Sequence, residues 1–568
     1  MQGLMMRSIR PTVRCSRTIF SVPKLTRNLS TNIPKPKVGG TGRRTILPLG
    51  LALGITGTTL YFTNDTFKHV ILTFDRVSVV TIAMVRCFSL YKSVLSTEFS
   101  IPEDRELALS KTHLKAAQIT LRALEKNGGI YIKLGQHITA LTYLLPREWT
   151  DTMIPLQDQC PRSELHEIDA MFKSDLGNSI EELFDEFSVD PVGVASLAQV
   201  HIAKLKQDGS KVAVKVQHPS LKEFVPIDVY MTKLVFDLMY IVFPEYPLTW
   251  LGDEMQSSIF VELDFVKEAE NSKLTSQYFQ DFKSVTALRI PKIIEAQPRI
   301  LIMEYVPGAR LDNLEYMKEN GIDTSEVSGC LSHIFNNMIF TPGVGLHCDP
   351  HGGNIAIRKL EQPGSKHNFE IILYDHGLYR NIPIEMKRNY AHFWLAVLDN
   401  DVPKMREYTS KFTGIEGDQK FKIWLSAITG RSPEVALNYN IKTKRTVEEM
   451  SSIQSQLNED SKVIEDLMDI LSSMPRIVLL ILKTNDLTRS LDENLQSSLG
   501  PERTFLIMAN YCAKCVYQEQ QEEIEKKFTN VSLSKYLQQY KSWWMYQKRV
   551  SMLFIYDFAL MIKRFLSI

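Results

Sequence analysis

Residues 347 to 377 read HCDPHGGNIAIRKLEQPGSKHNFEIILYDHG. Its two apolar runs, NIAIR and FEIILYD, are short and rich in strand-forming residues, and the insert between them (359 to 368) is polar. That pattern predicts a β-hairpin with a loose surface loop at its tip. Asp349 and Asn354 stand five residues apart just before the first strand, and Asp375 ends the second, with Gly377 two residues on.

On the N-terminal side, VAVKVQH (212 to 218) alternates so that Val212, Val214 and Val216 share one side of a strand and Lys215 takes the other. The run VHIAK and the turn Asp208-Gly209 make this the second arm of another hairpin. Carboxylates that could hold Lys215 follow in VELDFVKEAEN, at Glu262, Asp264 and Glu268. The interval from Asp349 to Asn354 is that of a kinase catalytic loop, and Asp375 with Gly377 repeats the pattern of the metal-binding D-F-G element. Phosphoryl transfer needs charge neutralised and groups held in line, which one Lys with metal-ligating Asp and Asn can supply. Four such elements in kinase order predict a nucleotide site.

On these residues, together with Lys133, Gly135 and Gln136 of a K-x-G-Q tetrapeptide and PRIVLLILKTNDLTRSLD near the end, the chain resembles the UbiB, or aarF-domain, atypical kinase family. The resemblance covers roughly residues 90 to 495. It implies an α+β, bilobal, protein-kinase-like fold with a family-specific helical extension (64–187), an N-lobe and hinge (188–306), a largely helical C-lobe (307–495) and a C-terminal helical region (496–568). ATP or ADP with Mg²⁺ would be the cofactor. Lys215 would bind phosphate and pair with Glu268, Asp349 would be the catalytic-loop carboxylate, and Asn354 and Asp375 would be the metal ligands. Glu304, in MEYV (303 to 306), would belong to the hinge beside adenine.

Two further features follow from the resemblance. The K-x-G-Q helix would lie over the site where a protein kinase admits a peptide, which makes Lys133 and Gln136 part of the catalytic apparatus and disfavours protein substrates. The phosphate-covering loop reads PVGVASLAQVH, with Ala195 and Ser196 at its tip and Gly193 where the family has Ala. Fewer glycines imply fewer backbone N–H groups to wrap phosphates. Gly352, where the family commonly has Pro, implies a more flexible catalytic loop. The resemblance implies an ATPase or a small-molecule or lipid kinase in coenzyme Q or other mitochondrial lipid homeostasis, with a nucleotide-gated scaffold that binds lipid or a partner protein without turnover as the alternative.

The rest of the 568 residues frames this core. The 66 basic and 65 acidic residues nearly cancel, and no long basic run lies in the folded part, so nucleic-acid binding is not expected. No acidic residue precedes Asp65, whereas ten Lys and Arg do, a mitochondrial targeting composition for residues 1–44. Residues 45–63 carry no charge and approach the roughly 20 residues that span a bilayer, which predicts either a single inner-membrane helix or a buried segment. If it spans, the positive flank keeps the main domain in the intermembrane space, and Gly50 with Gly54 could pair two copies. Residues 66 to 100 suggest a helix on the membrane or on the domain. Cys512 and Cys515 sit in an apolar helical pattern and read as buried thiols, not a zinc site. The charged stretch 441 to 466 reads as a solvated face or mobile arm, and the apolar, aromatic C-terminus either lies against a membrane or packs on the C-lobe.

Overall fold

The computed structural model describes residues 63–566, apart from 141–144, 158–159, 161, 245–247, 362–364, 430–469, 471–472, 498–499, 529 and 531. The expected targeting segment, nearly all of the expected span and the charged stretch 441 to 466 lie outside the described residues. Within them no helix is long and apolar enough to cross a membrane.

The chain opens with helices α1 (Asp65–Leu95), α2 (Pro102–Asn127), α3 (Ile130–Ala140), α4 (Arg147–Met153) and α5 (Leu165–Leu176). Pro102 starts α2 where its missing N–H costs nothing, and Gly128 closes it by donating to the Leu124 carbonyl. Helix α1 is fixed to the domain by Arg76, which donates to both carboxylate oxygens of Asp228 and to the Asn127 carbonyl. Helix α3, which carries K-x-G-Q, lies against the short 3₁₀ turn Ile154–Gln157. An added methyl group on Gly135 would sit 2.1 Å from Leu156 Cδ1, so only glycine allows that approach.

The N-lobe sheet contains β1 (Phe184–Phe187), β2 (Gly193–Val194), β3 (Ala198–Leu205) and β4 (Lys211–Gln217), completed after three long helices by two later strands. Those helices are α6 (Leu221–Val242), α7 (Thr249–Glu262) and α8 (Phe265–Phe279). Then come β5 (Leu288–Arg289), β6 (Ile293–Ala296) and β7 (Ile300–Glu304), giving the order β1-β3-β4-β7-β6 with β2 on β3. The sheet thus starts at Phe184, ahead of the VHIAK run at 200–204. Val212, Val214 and Val216 are fully buried against Ile168, Met171 and Phe172 of α5. Each such burial contributes about 1.5–3 kcal/mol, which fixes the face of β4 and turns Lys215 the other way.

The C-lobe begins with β8 (Ala309–Arg310), α9 (Leu314–Glu319) and α10 (Thr324–Phe340), a helix buried along most of its length. β9 (Leu346–His347), β10 (Ile355–Lys359), β11 (Phe369–Leu373) and β12 (Tyr379–Arg380) follow. The hairpin β10–β11 is as expected, in register from Ile355↔Leu373 to Lys359↔Phe369. Its tip is not loose throughout: His367 is buried, within hydrogen-bond distance of Glu326 and the Ser284 carbonyl. β9 pairs with β12, and this small ladder brackets both Asp349 and Asp375. Helices α11 (Ile384–Leu398), α12 (Val402–Thr413), α13 (Asp418–Thr429), α14 (Arg476–Asn494), α15 (Gly500–Lys527) and α16 (Leu533–Leu566) complete the lobe. Cys512 and Cys515 are buried free thiols on α15. The fold is therefore mixed helix and sheet, bilobal and kinase-like, with a helical C-terminal region.

Candidate functional site

Lys215 occupies the centre of β4, opposite Val200 on one side and Leu301 on the other. Its ammonium lies 2.7 and 2.9 Å from the two Glu268 oxygens and 2.8 Å from Asp375 Oδ1, over the ring of Phe265 at 5.0 Å. Asn354 Nδ2 donates to Asp375 Oδ2 at 3.1 Å and to the Asp349 carbonyl at 3.3 Å, so it ties the catalytic loop to the strand end. Gly352, Gly353 and Asn354 form one 3₁₀ turn, whose start is held by His351 accepting from the Gly353 N–H, so Gly352 does not leave the loop unstructured.

The three carboxylates of the E-L-D…E segment divide the work. Glu262 pairs with Lys133 at 2.9 Å. Asp264 caps α8 by accepting from the Val266 and Lys267 N–H groups, a backbone role worth about 1 kcal/mol. Glu268, one turn into the helix, reaches Lys215.

Asp349 is gripped from both sides. Lys133 of α3 approaches Oδ2 at 3.2 Å, and Lys483 of α14 approaches Oδ1 at 2.9 Å. Burial alone would raise the Asp349 carboxyl, but Lys483 and then Lys133 outweigh it and hold it well below the ordinary carboxylate range. Next to it Thr484 donates to the His347 carbonyl at 3.2 Å, and His347 Nδ1 accepts from the Asp349 N–H at 3.1 Å. Burial pushes His347 down to about 4, so its imidazole is neutral. Burial likewise raises Glu268, with Lys215 opposing and Asp375 adding to the shift. Asp375 is held low because Lys215 overcomes its burial.

Lys133 and Gln136 share the α3 face but part company in their contacts. Gln136 donates to the Leu156 carbonyl at 3.0 Å and accepts from Ser196 Oγ at 3.4 Å. The phosphate-covering loop is a tight turn closed by Ala195 N–H to the Ala198 carbonyl at 2.7 Å, with His218 Nε2 3.0 Å from the Ala195 carbonyl. Glu304 ends β7 away from this cluster and directs its carboxylate to Arg289 and the Lys292 N–H.

Four carboxylates (Asp349, Glu262, Glu268, Asp375) thus meet three ammoniums (Lys133, Lys215, Lys483). The surplus negative charge, with Asp375 and Asn354 as hard oxygen donors, suits Mg²⁺, which takes one or two protein ligands and completes its shell with water and phosphate. Among the described residues no group of three His, Cys, Asp or Glu is placed to hold a metal ion. Sequence reasoning missed Lys483. Its signal was a lone lysine inside the apolar run IVLLILKT, but nothing local tells which loop that lysine faces.

Residues 155–409 match the ABC1 atypical kinase-like domain. The chain is 58% identical to the ABC1 family protein MCP2 of Saccharomyces cerevisiae, over 89% of this chain and 90% of that protein. It is 43% identical to the MCP2 homolog of Schizosaccharomyces pombe (87% and 86%) and 36% identical to AarF domain-containing kinase 1 of Drosophila melanogaster (72% and 77%). Among solved structures, the Mycobacterium tuberculosis Rv3197–erythromycin complex aligns with 64% of this chain and 95% of that one at 18% identity and a TM-score of 0.37. The chain belongs to the ABC1, or UbiB/aarF-domain, family of atypical kinases.

Proposed function

We propose that this protein binds ATP with Mg²⁺ and acts as an ATPase or as a small-molecule or lipid kinase at the mitochondrial inner membrane, in coenzyme Q or other mitochondrial lipid homeostasis. The observation that carries the nucleotide reading is Lys215 held between Glu268 and Asp375, with Asn354 on the same Asp375. Lys215 would take nucleotide phosphate, and Asp375 and Asn354 would hold Mg²⁺, which supplies charge neutralisation across the phosphates. The acid-free, Arg-rich N-terminus supports the mitochondrial address.

One observation favours a second reading, a nucleotide-gated scaffold. Asp349 is a free base only after Lys133 and Lys483 let go of it, so this arrangement of the site binds more readily than it turns over. A protein kinase is the least supported, because α3 places Lys133 on the catalytic-loop carboxylate where a peptide hydroxyl would have to arrive.

Phosphate release by the purified full-length protein, with and without vesicles, separates the two readings when compared with Asp349→Asn. Turnover in wild type that falls at least tenfold in the variant supports chemistry. Nucleotide binding with no turnover in either assigns the scaffold. In mitochondria, matching lipid changes in the deletion and in Asp349→Asn go with chemistry, and a change in the deletion alone with scaffolding.

A further inference from the structure

The C-terminal helix α16 packs on the domain by one side and leaves the other uncovered. Its inward positions recur every three or four residues: Ser542 and Leu553 are buried, Tyr546 stacks on Tyr517 at 4.6 Å, and Arg549 pairs with Asp399 at 2.7 Å. The opposite side carries exposed apolar side chains over 533–545 and again over 552–562, interrupted by Gln547, Lys548 and Ser551, on a helix about 50 Å long at 1.5 Å per residue. Of the thirty-five large hydrophobic side chains exposed among the described residues, fourteen are on this helix, so the apolar surface is concentrated there. Leu537, Tyr540, Trp544, Ile555, Phe558 and Ile562 run along its middle, exposed by 43 to 64%.

We infer that this face is a docking surface for an anionic lipid bilayer, with α16 lying in the headgroup plane. Three features choose that occupant. First, at 100° per residue the exposed apolar positions span about 200° of the helix, far wider than the narrow seam by which two helices pair, so a plane covers it better than a second copy does. Second, Tyr536, Tyr540, Trp543 and Trp544 have apolar rings with a polar edge, the side chains that settle where hydrocarbon meets water. Third, the charge is complementary. Lys541 and Lys548 are exposed beside the apolar stripe and make no ion pair among the described residues, while the only acidic residue of the helix, Asp557, turns inward to Arg503 at 3.4 Å. The lysine stems can lie along the apolar face and present their ammoniums to lipid phosphates. Because α16 is not apolar enough to cross a membrane, the contact is peripheral. It depends neither on the nucleotide reading nor on residues 45–63.

The test uses the full-length protein with vesicles of equal parts phosphatidylglycerol and phosphatidylcholine, the latter brominated on its acyl chains, and reads tryptophan fluorescence. Trp543 and Trp544 are exposed, whereas Trp394 and Trp424 are buried and Trp149 and Trp250 half-buried, so quenching reports α16 even if another segment also anchors the protein. Wild type should be quenched, Trp543→Phe/Trp544→Phe should lose most of the quenching, and Lys541→Glu/Lys548→Glu should require several-fold more anionic vesicle to reach it. Equal quenching in wild type and the double Phe variant would overturn the assignment, as would no quenching at all. Sedimentation without lipid provides the other arm: a dimer dissolved by Tyr540→Glu/Phe558→Glu would give the face to a second copy instead.

Discussion

Lys483 is the residue that most changes the picture of the site, because it gives Asp349 a second cation from a helix outside the kinase motifs. Lys483→Met leaves Asp349 buried with Lys133 alone, which should cost about 2 kcal/mol of stability by chemical denaturation. The same change in an Asp349→Asn background should cost much less, since the charge it served is gone. Equal costs in both backgrounds would show that Lys483 acts by packing only. Gly135→Ala is expected to destabilise by about 1–3 kcal/mol by pressing on Leu156, and Leu156→Ala should relieve part of that cost in the double variant. Gly193, by contrast, has no neighbour within 4 Å of an added methyl group and does not adopt a positive φ. Gly193→Ala should change stability by less than about 0.5 kcal/mol and leave nucleotide binding intact, so the glycine in the phosphate-covering loop is not a structural requirement.

At the scale of elements, what could be read in advance depended on whether the signal was local. Strand alternation placed Lys215 opposite its three valines, and the hairpin at 355–373 followed from its two apolar runs. Spacing alone could not divide Glu262, Asp264 and Glu268 among an ion pair with Lys133, a helix cap and an ion pair with Lys215, because the start of α8 decides which carboxylate points where. Contacts such as Lys483 to Asp349 span 134 residues and are set by how α14 docks, which no periodicity records. A second buried lysine shows how docking sets chemistry. Lys387 of α11 donates to the Met338 and Thr341 carbonyls at the C-terminal end of α10, and burial pushes it down to about 8, with Cys515 opposing. Below pH 8 both folded and unfolded states are protonated and the burial cost is fully present. Between about 8 and 10 the native lysine releases its proton first, the unfolded state binds more protons, and stability gained through this group rises with pH. The stability difference between wild type and Lys387→Met should therefore move in favour of wild type by about 1–3 kcal/mol across that range. A difference that stays flat would mean the lysine is not desolvated.

For the molecule as a whole, the kinase-like core is enclosed by elements that kinase motifs do not contain. Helix α3 from before the N-lobe and α14 from late in the chain close on the same carboxylate, so any change at Asp349 is felt by both extensions. Helix α15 in turn packs against α10, α11 and α16, so the C-terminal helices are continuous with the C-lobe core. Nucleotide binding with Mg²⁺ by the Lys215, Glu268, Asn354 and Asp375 cluster underlies every functional reading of the site. It is tested most directly by thermal denaturation of the full-length protein with ATP, with ADP and with neither, each with and without Mg²⁺. Saturating nucleotide at a hundred times Kd should stabilise wild type by about 2.7 kcal/mol only when Mg²⁺ is present, and Asp375→Asn and Lys215→Ala should lose most of that gain. Stabilisation that is undiminished in both variants, or absent from wild type, would contradict the claim.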